Sequence, residues 1–174
     1  MNARAFKVKN VIIRNTTDGD CAFILKTNRE NVEVLSPMSK DDFCNFKNRA
    51  QLFLTVEVDG APAAFLIALR EGVETYKSEN YLWFSKNYEK FLYIDRVVIA
   101  EGFRGCGIGK KLYSRVFEEA KKMGVPFVTA EIDTVPYNEA SLLFHKAMGF
   151  NEVGTQTVRG GAVTVSLQAA DLGL

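Results

Sequence analysis

Apolar positions follow two rhythms along this chain, and the switches between them mark its elements. Val8, Val11, Ile12 and Ile13 crowd into Lys7 to Arg14 and predict a first strand. Asn15 to Asp20 is turn chemistry, with Asp18 or Asp20 placed to cap a short helix through Cys21 to Asn28. Ser36-Pro37-Met38-Ser39 breaks the chain again, and Ser39 with Asp42 forms an acidic variant of a capping box opening a helix from Lys40 to about Arg49. Gln51 to Val58 and Ala61 to Leu69 are β-rich runs on either side of Asp59-Gly60, a two-residue hairpin signal. Pro62 weakens the start of the second run.

The stretch Glu71 to Lys90 breaks both rhythms. Its aromatic residues, among them Tyr81, Trp83, Phe84 and Tyr88, are interspersed with asparagines and charges. It reads as an irregular excursion with room for a helical turn, serving as a binding lid or a satellite core. Phe91 to Ala100 is almost continuously apolar, as in a strand buried on both faces. Lys110 to Met123 sets Leu112, Val116, Phe117 and Ala120 on one helical face, and Gly124 and Pro126 end it. Phe127 to Ile132 is a strand. Asn138 to Met148 is a helix expected to turn Ala140, Leu143, Phe144 and Ala147 inward, with Gly149 as its stop. Phe150 to Gly154 and Ala162 to Leu167 follow as strands around Gly160-Gly161. The resulting order is β-α-α-β-β-β-α-β-α-β-β, a mixed α/β single domain over residues 1–174.

Composition narrows the function. The 174 residues are 47% hydrophobic, enough for one sizeable core. A net charge of +1 gives no polybasic surface for nucleic acid and no acidic tail. No window holds the roughly 20 apolar residues of a membrane helix, and the N-terminus lacks a secretory apolar run, so a soluble, cytoplasmic protein is expected. Cys21, Cys44 and Cys106 are scattered and odd in number, and His145 is the one histidine, so neither a disulfide framework nor a metal site is expected.

The chemistry concentrates in Arg104-Gly105-Cys106-Gly107-Ile108-Gly109-Lys110, between a strand and a helix. The first N–H groups of a helix lack internal partners and the helix dipole makes that end positive. Glycines let a phosphate approach the backbone, and Arg104 and Lys110 add charge at each end. The occupant expected is a pyrophosphate. Gly105, Gly107 and Gly109 are spaced by two, which departs from the dinucleotide fingerprint, and Lys111 stands where a P-loop needs Ser or Thr.

The spacing resembles the acyl-coenzyme A loop of the GCN5-related N-acetyltransferase (GNAT) superfamily: Arg or Gln, two residues, Gly, one residue, Gly or Ala. Arg104, Gly107 and Gly109 fit, as do Phe103 and the preceding Val97-Val98-Ile99. Asn138, Ala140, Leu143, Gly149 and Phe150 resemble the family's later helix and the strand start after it. The resemblance implies a GNAT-like fold, a mixed and mostly antiparallel central sheet flanked by helices. It implies direct attack of an amine on acetyl-coenzyme A in a ternary complex, without a metal. The backbone of Val97, Val98 and Ile99 would pair with the pantetheine arm, with the Val97 N–H facing the acetyl oxygen. Gly105, Cys106, Gly107, Ile108, Gly109 and Lys110 would hold the pyrophosphate, and Asn138 would touch the pantetheine region. The acceptor would be a small-molecule or peptide amine, and homodimers are common in the superfamily.

One position departs from the pattern. Many relatives carry tyrosine four residues before the glycine of the Gly-Phe pair; here it is His145, either a general acid for the leaving thiolate or a packing residue. The base candidates are Glu131 and Asp95, each set against a plainer role: an ion pair with Arg96 or Arg70 for Asp95, a solvated carboxylate for Glu131. Tyr93 and Trp83 line an acceptor pocket or fill core. Cys106 is a variable loop position. Two other functions remain open at this level, a non-catalytic acyl-coenzyme A-binding module and a regulator binding another pyrophosphate nucleotide.

Overall fold

The structure, a computed structural model, describes residues 10–32 and 35–174. Its elements are β1 (Val11–Asn15), α1 (Cys21–Arg29), α2 (Lys40–Arg49), β2 (Leu52–Val58), β3 (Ala61–Arg70), α3 (Glu79–Asn87), β4 (Phe91–Ile99), α4 (Ile108–Lys122), β5 (Phe127–Val135), α5 (Glu139–Ala147), β6 (Asn151–Val158) and β7 (Val163–Asp171). The strands form one sheet in the order β1-β2-β3-β4-β5-β7-β6. β4 and β5 pair in parallel at Phe91–Phe127, Leu92–Val128 and Tyr93–Thr129. β1 runs antiparallel to β2, and β7 runs antiparallel to both β5 and β6. The expected mixed, mostly antiparallel α/β sheet is therefore present. Val8, part of the expected first strand, lies outside the described residues.

Local chemistry accounts for most boundaries. Ser39 Oγ accepts the Asp42 N–H at 3.1 Å while Asp42 Oδ2 accepts the Ser39 N–H at 2.8 Å, the reciprocal cap expected of α2. Asp59 takes φ 50° in the β2–β3 turn, the left-handed geometry that a two-residue hairpin demands.

The chain packs as two compact units, residues 1–67 with 96–112 and residues 68–95 with 113–174. In the first, Ile24, Phe43, Phe46, Leu54, Val56 and Phe65 are buried. Arg14 forks onto both Asp20 oxygens at 2.7 and 2.8 Å and also reaches Glu57 at 2.6 Å. In the second, Tyr81, Phe84, Phe91 and Tyr93 form a buried aromatic cluster, with Tyr81 5.5 Å from Tyr93 between ring centroids.

Two expectations need correction. The excursion after β3 contains a full helix, α3, whose N-cap Ser78 accepts the Tyr81 N–H and whose Asn80, Tyr81 and Phe84 are buried. The order is thus β-α-α-β-β-α-β-α-β-α-β-β. The inward face of α5 was also misassigned. Leu143 is 60% exposed, and Ala140 and Ala147 are exposed too. The buried residue of α5 is His145, drawn inward by the rings of Tyr113 and Phe150.

Candidate active site

The first unit carries the glycine-rich loop. β4 ends at Ile99, and Gly105 and Gly107 adopt φ of 74° and 77° before α4 opens at Ile108. These are left-handed values that a β-carbon disfavours, which explains why the loop needs glycine there. The space beside both glycines is open. Lys111 N–H donates to the Gly107 carbonyl at 3.2 Å, so the first turn is formed and the N–H groups of Ile108, Gly109 and Lys110 precede the helical ladder. Ile108 is buried and Lys110 exposed. Arg104 is fixed by bonds from Nε to the Ile99 carbonyl at 3.2 Å and from its guanidinium to Asn31 Oδ1 at 2.9 Å. Cys106 Sγ donates to the Arg104 carbonyl at 3.7 Å and stabilises the turn. A pyrophosphate fits this cradle: open backbone donors, room beside the glycines, and cationic side chains. Val97 and Ile99 are half-buried, and Val98 between them is buried.

The second unit carries the candidate acid–base groups. Tyr93 and Asp95 on β4 and Thr129, Glu131 and Asp133 on β5 each follow the two-residue spacing of a single sheet face. Tyr93 sits opposite Thr129 in the ladder, which puts the two sets on the same face. Glu131 and Asp95, the two carboxylates singled out in the sequence, are thus brought together. Asp95 accepts a hydrogen bond from Tyr76. Arg96, one expected partner of Asp95, donates to Asn28 Oδ1 at 2.8 Å, and Arg70, the other, donates to Glu71 at 2.9 Å.

Glu131 retains partial exposure as a residue, yet its Oε2 is sealed from solvent and has no hydrogen-bond partner among the described residues. Burial, and then the charge of Asp95, push its carboxyl up to about 7. Tyr93 and Asn80 act in the opposite sense by stabilising the charged form at close range. The Tyr93 hydroxyl nonetheless has no hydrogen-bond partner among the described residues, and burial raises its own pKa well above the ordinary range. Thr129 Oγ1 and Asp133 Oδ2 are likewise buried without partners among the described residues.

His145 belongs to the same unit. It is 4% exposed and its two ring nitrogens are both committed. Nδ1 lies 2.8 Å from the Ser141 carbonyl, which only an N–H can satisfy, so Nε2 accepts from the Tyr113 hydroxyl at 2.7 Å. Desolvation lowers the His145 pKa, and the ring is neutral at pH 7. Asn138 caps α5, its Oδ1 accepting the Ser141 N–H at 3.2 Å, which leaves its amide N–H groups for other work. Trp83 packs its ring on Gly154. Asn80, Tyr76, Gln156 and Tyr113 were not singled out in the sequence. The cap at Ser78 was the one local signal pointing to Asn80.

Fold and loop together define an α/β protein with a glycine-rich turn leading into the open N-terminus of a helix. The family model for the acetyltransferase (GNAT) family matches residues 22–150, most of the chain. The chain belongs to the GNAT family of N-acetyltransferases. It is 28% identical over 138 residues to the L-amino acid N-acyltransferase MnaT of Escherichia coli, covering 79% of this chain and 78% of that protein. It is 27% identical over the same length to the L-methionine sulfoximine/L-methionine sulfone acetyltransferase of Salmonella typhimurium, with the same coverage. Its fold is similar to that of the yncA protein of Salmonella typhimurium, solved with its cofactor acetyl-CoA. There the TM-score is 0.69 at 20% identity, over 93% of this chain and 94% of the other. Among the described residues, no helix is long and apolar enough to cross a membrane.

Proposed function

We propose that this protein is a cytoplasmic enzyme that transfers the acetyl group of acetyl-CoA to the α-amino group of a small amino acid or close analogue. The loop from Gly105 to Lys110, two left-handed glycines leading into the open end of α4, is the observation that carries the donor assignment. The acceptor class is supported by the activities named for the two bacterial relatives and by the carboxylates Asp95, Glu131 and Asp133, which suit a substrate that arrives as an ammonium.

In this reading Glu131 takes the ammonium proton. The free amine then attacks the thioester carbon, the backbone N–H of Val97 steadies the oxyanion, and as the C–S bond breaks coenzyme A leaves as a thiolate while the second nitrogen proton passes to water. A carboxylate titrating near 7 is well matched to that task at neutral pH. Asp95, held by Tyr76, raises the basicity of Glu131 through its charge. His145 accepts rather than donates at Nε2, so its role here is to fix Tyr113, and the thiolate takes its proton from solvent. Val97 to Ile99 and the Asn138 amide would line the pantetheine arm.

A free-thiol assay with acetyl-CoA and a panel of amines tests the proposal. Turnover is expected with free L-amino acids. Turnover confined to polyamines or peptide N-termini would overturn the acceptor class, and tight acetyl-CoA binding with no turnover on any amine would overturn the enzymatic reading. Gly107→Val should abolish acetyl-CoA binding in calorimetry, because a β-branched residue resists φ near 77°.

A further inference from the structure

Glu131 stands on β5, but one of the groups that bears on it comes from α3, in the segment where sequence patterning found no helix. Three contacts pin that helix. Tyr81 Oη donates to the Arg70 carbonyl at 2.7 Å and accepts the Val73 N–H at 2.9 Å. Trp83 rests against Gly154, where a β-carbon would fall 2.7 Å from Cζ2 of the ring. Asn80 Oδ1 accepts from the Gln156 side-chain amide at 3.1 Å. Asn80 and Trp83, three apart, share a helix face, and Gly154 and Gln156, two apart, share a strand face, so the two elements meet in register.

The same register carries Asn80 to the carboxylate. Gly154 pairs with Leu167 and Leu167 with Glu131, while Gln156 pairs with Val165 and Val165 with Asp133. Directly opposed residues share a sheet face, so α3 is docked on the face that bears Glu131. With its Oδ1 given to Gln156, the Asn80 side chain has two N–H donors left, and it is only 9% exposed. A carboxylate with an unpartnered buried oxygen is the natural target.

We propose that Asn80 is a positioning residue for Glu131: Gln156 locks the Asn80 amide by its oxygen and thereby aims its N–H groups at the carboxylate. This rests on Glu131 being the base, but its first test does not. The Asn80 amide stabilises the charged carboxylate and offsets part of the burial that disfavours it. Without the amide, the carboxylate would be harder to ionise and freer to rotate.

The experiment is a 13C NMR titration of the Glu131 side-chain carboxyl in the full chain, wild type against Asn80→Ala. The titration is expected to move to higher pH by about one unit in the variant. Gln156→Leu, which keeps Asn80 but unlocks it, should move it the same way by less, and it serves if Asn80→Ala does not fold. Trp83→Phe, which trims the contact with Gly154 but keeps the Asn80–Gln156 bond, should move the midpoint less than Asn80→Ala does. An unchanged midpoint in both amide variants, or an equal shift in Trp83→Phe, would overturn the proposal. A matching upward shift in the acid limb of kcat/KM against pH, with activity recovered near pH 9, is the expected kinetic counterpart. A shifted titration with an unmoved kinetic limb would leave Asn80 as the partner of Glu131 and remove Glu131 as the base.

Discussion

Asp20 in the first unit and Glu131 in the second are both withdrawn from water, and the protein treats them in opposite ways. Asp20 is gripped by both arms of Arg14 and by the backbone N–H of Thr17 at 2.8 Å, and the hydrogen bonds from Arg14 hold its carboxyl down at about 2. Glu131 makes no ion pair among the described residues, feels the charge of Asp95, and is pushed by burial up to about 7. Saturated pairing makes a carboxylate inert and structural. Burial with deliberately incomplete pairing makes one that exchanges a proton near neutrality.

The contrast can be broken by mutation. The largest effect belongs to Glu131→Gln in the acetyl-transfer assay. It should lower kcat/KM by about a hundredfold or more and erase the acid limb near pH 7, while acetyl-CoA affinity from calorimetry stays unchanged. Retained activity with the limb intact would place Glu131 beside Asp20 as a structural group. Next comes Asp20→Ala, expected to cost about 2–4 kcal/mol in denaturant unfolding, because it strips Arg14 of its main partner and removes half of a capping box. Since the folded pKa of Asp20 is depressed, its stabilisation is full above about pH 4 and fades as pH falls toward 2. The variant and wild type should therefore converge in acid.

The smallest effect runs the other way. The folded pKa of Glu131 is raised, so the unfolded chain sheds this proton first, and stability drains away as pH climbs from about 4.5 to 7. Glu131→Gln should match wild type at pH 4 and exceed it by about 1–2 kcal/mol at pH 8 in thermal or denaturant unfolding. A variant that is less stable at pH 8 would mean that Glu131 contributes to the fold as Asp20 does.

The two regions also differ in how far the sequence revealed them. The Thr17–Asp20 turn, the Ser39 cap, the Asp59 hairpin and the loop from Arg104 to Lys110 are local, each written in residues a few positions apart. The helix α3 was missed because its inward positions, Asn80, Tyr81 and Phe84, mix an amide with aromatics and show no clean apolar stripe. The inward face of α5 was misread because ring packing by Tyr113 and Phe150, distant in sequence, selects His145 over Leu143. β6 extends to Val158 through polar residues because its ladder with β7 supplies the order that its own side chains do not. Glu131 was legible as one of two candidate bases. The groups that set its chemistry, Asn80 and Asp95 with Tyr76, are brought to it by strand register over dozens of residues, which no local pattern encodes.

Trp83 is the only tryptophan in the chain. Its indole rests against Gly154 three residues along α3 from Asn80, so one intrinsic fluorophore reports on the seat of the helix that carries Asn80. Excitation near 295 nm isolates that ring from the six tyrosines. Any substrate, variant or pH change that lifts α3 from β6 will be visible as a red-shifted emission, without a label and in real time.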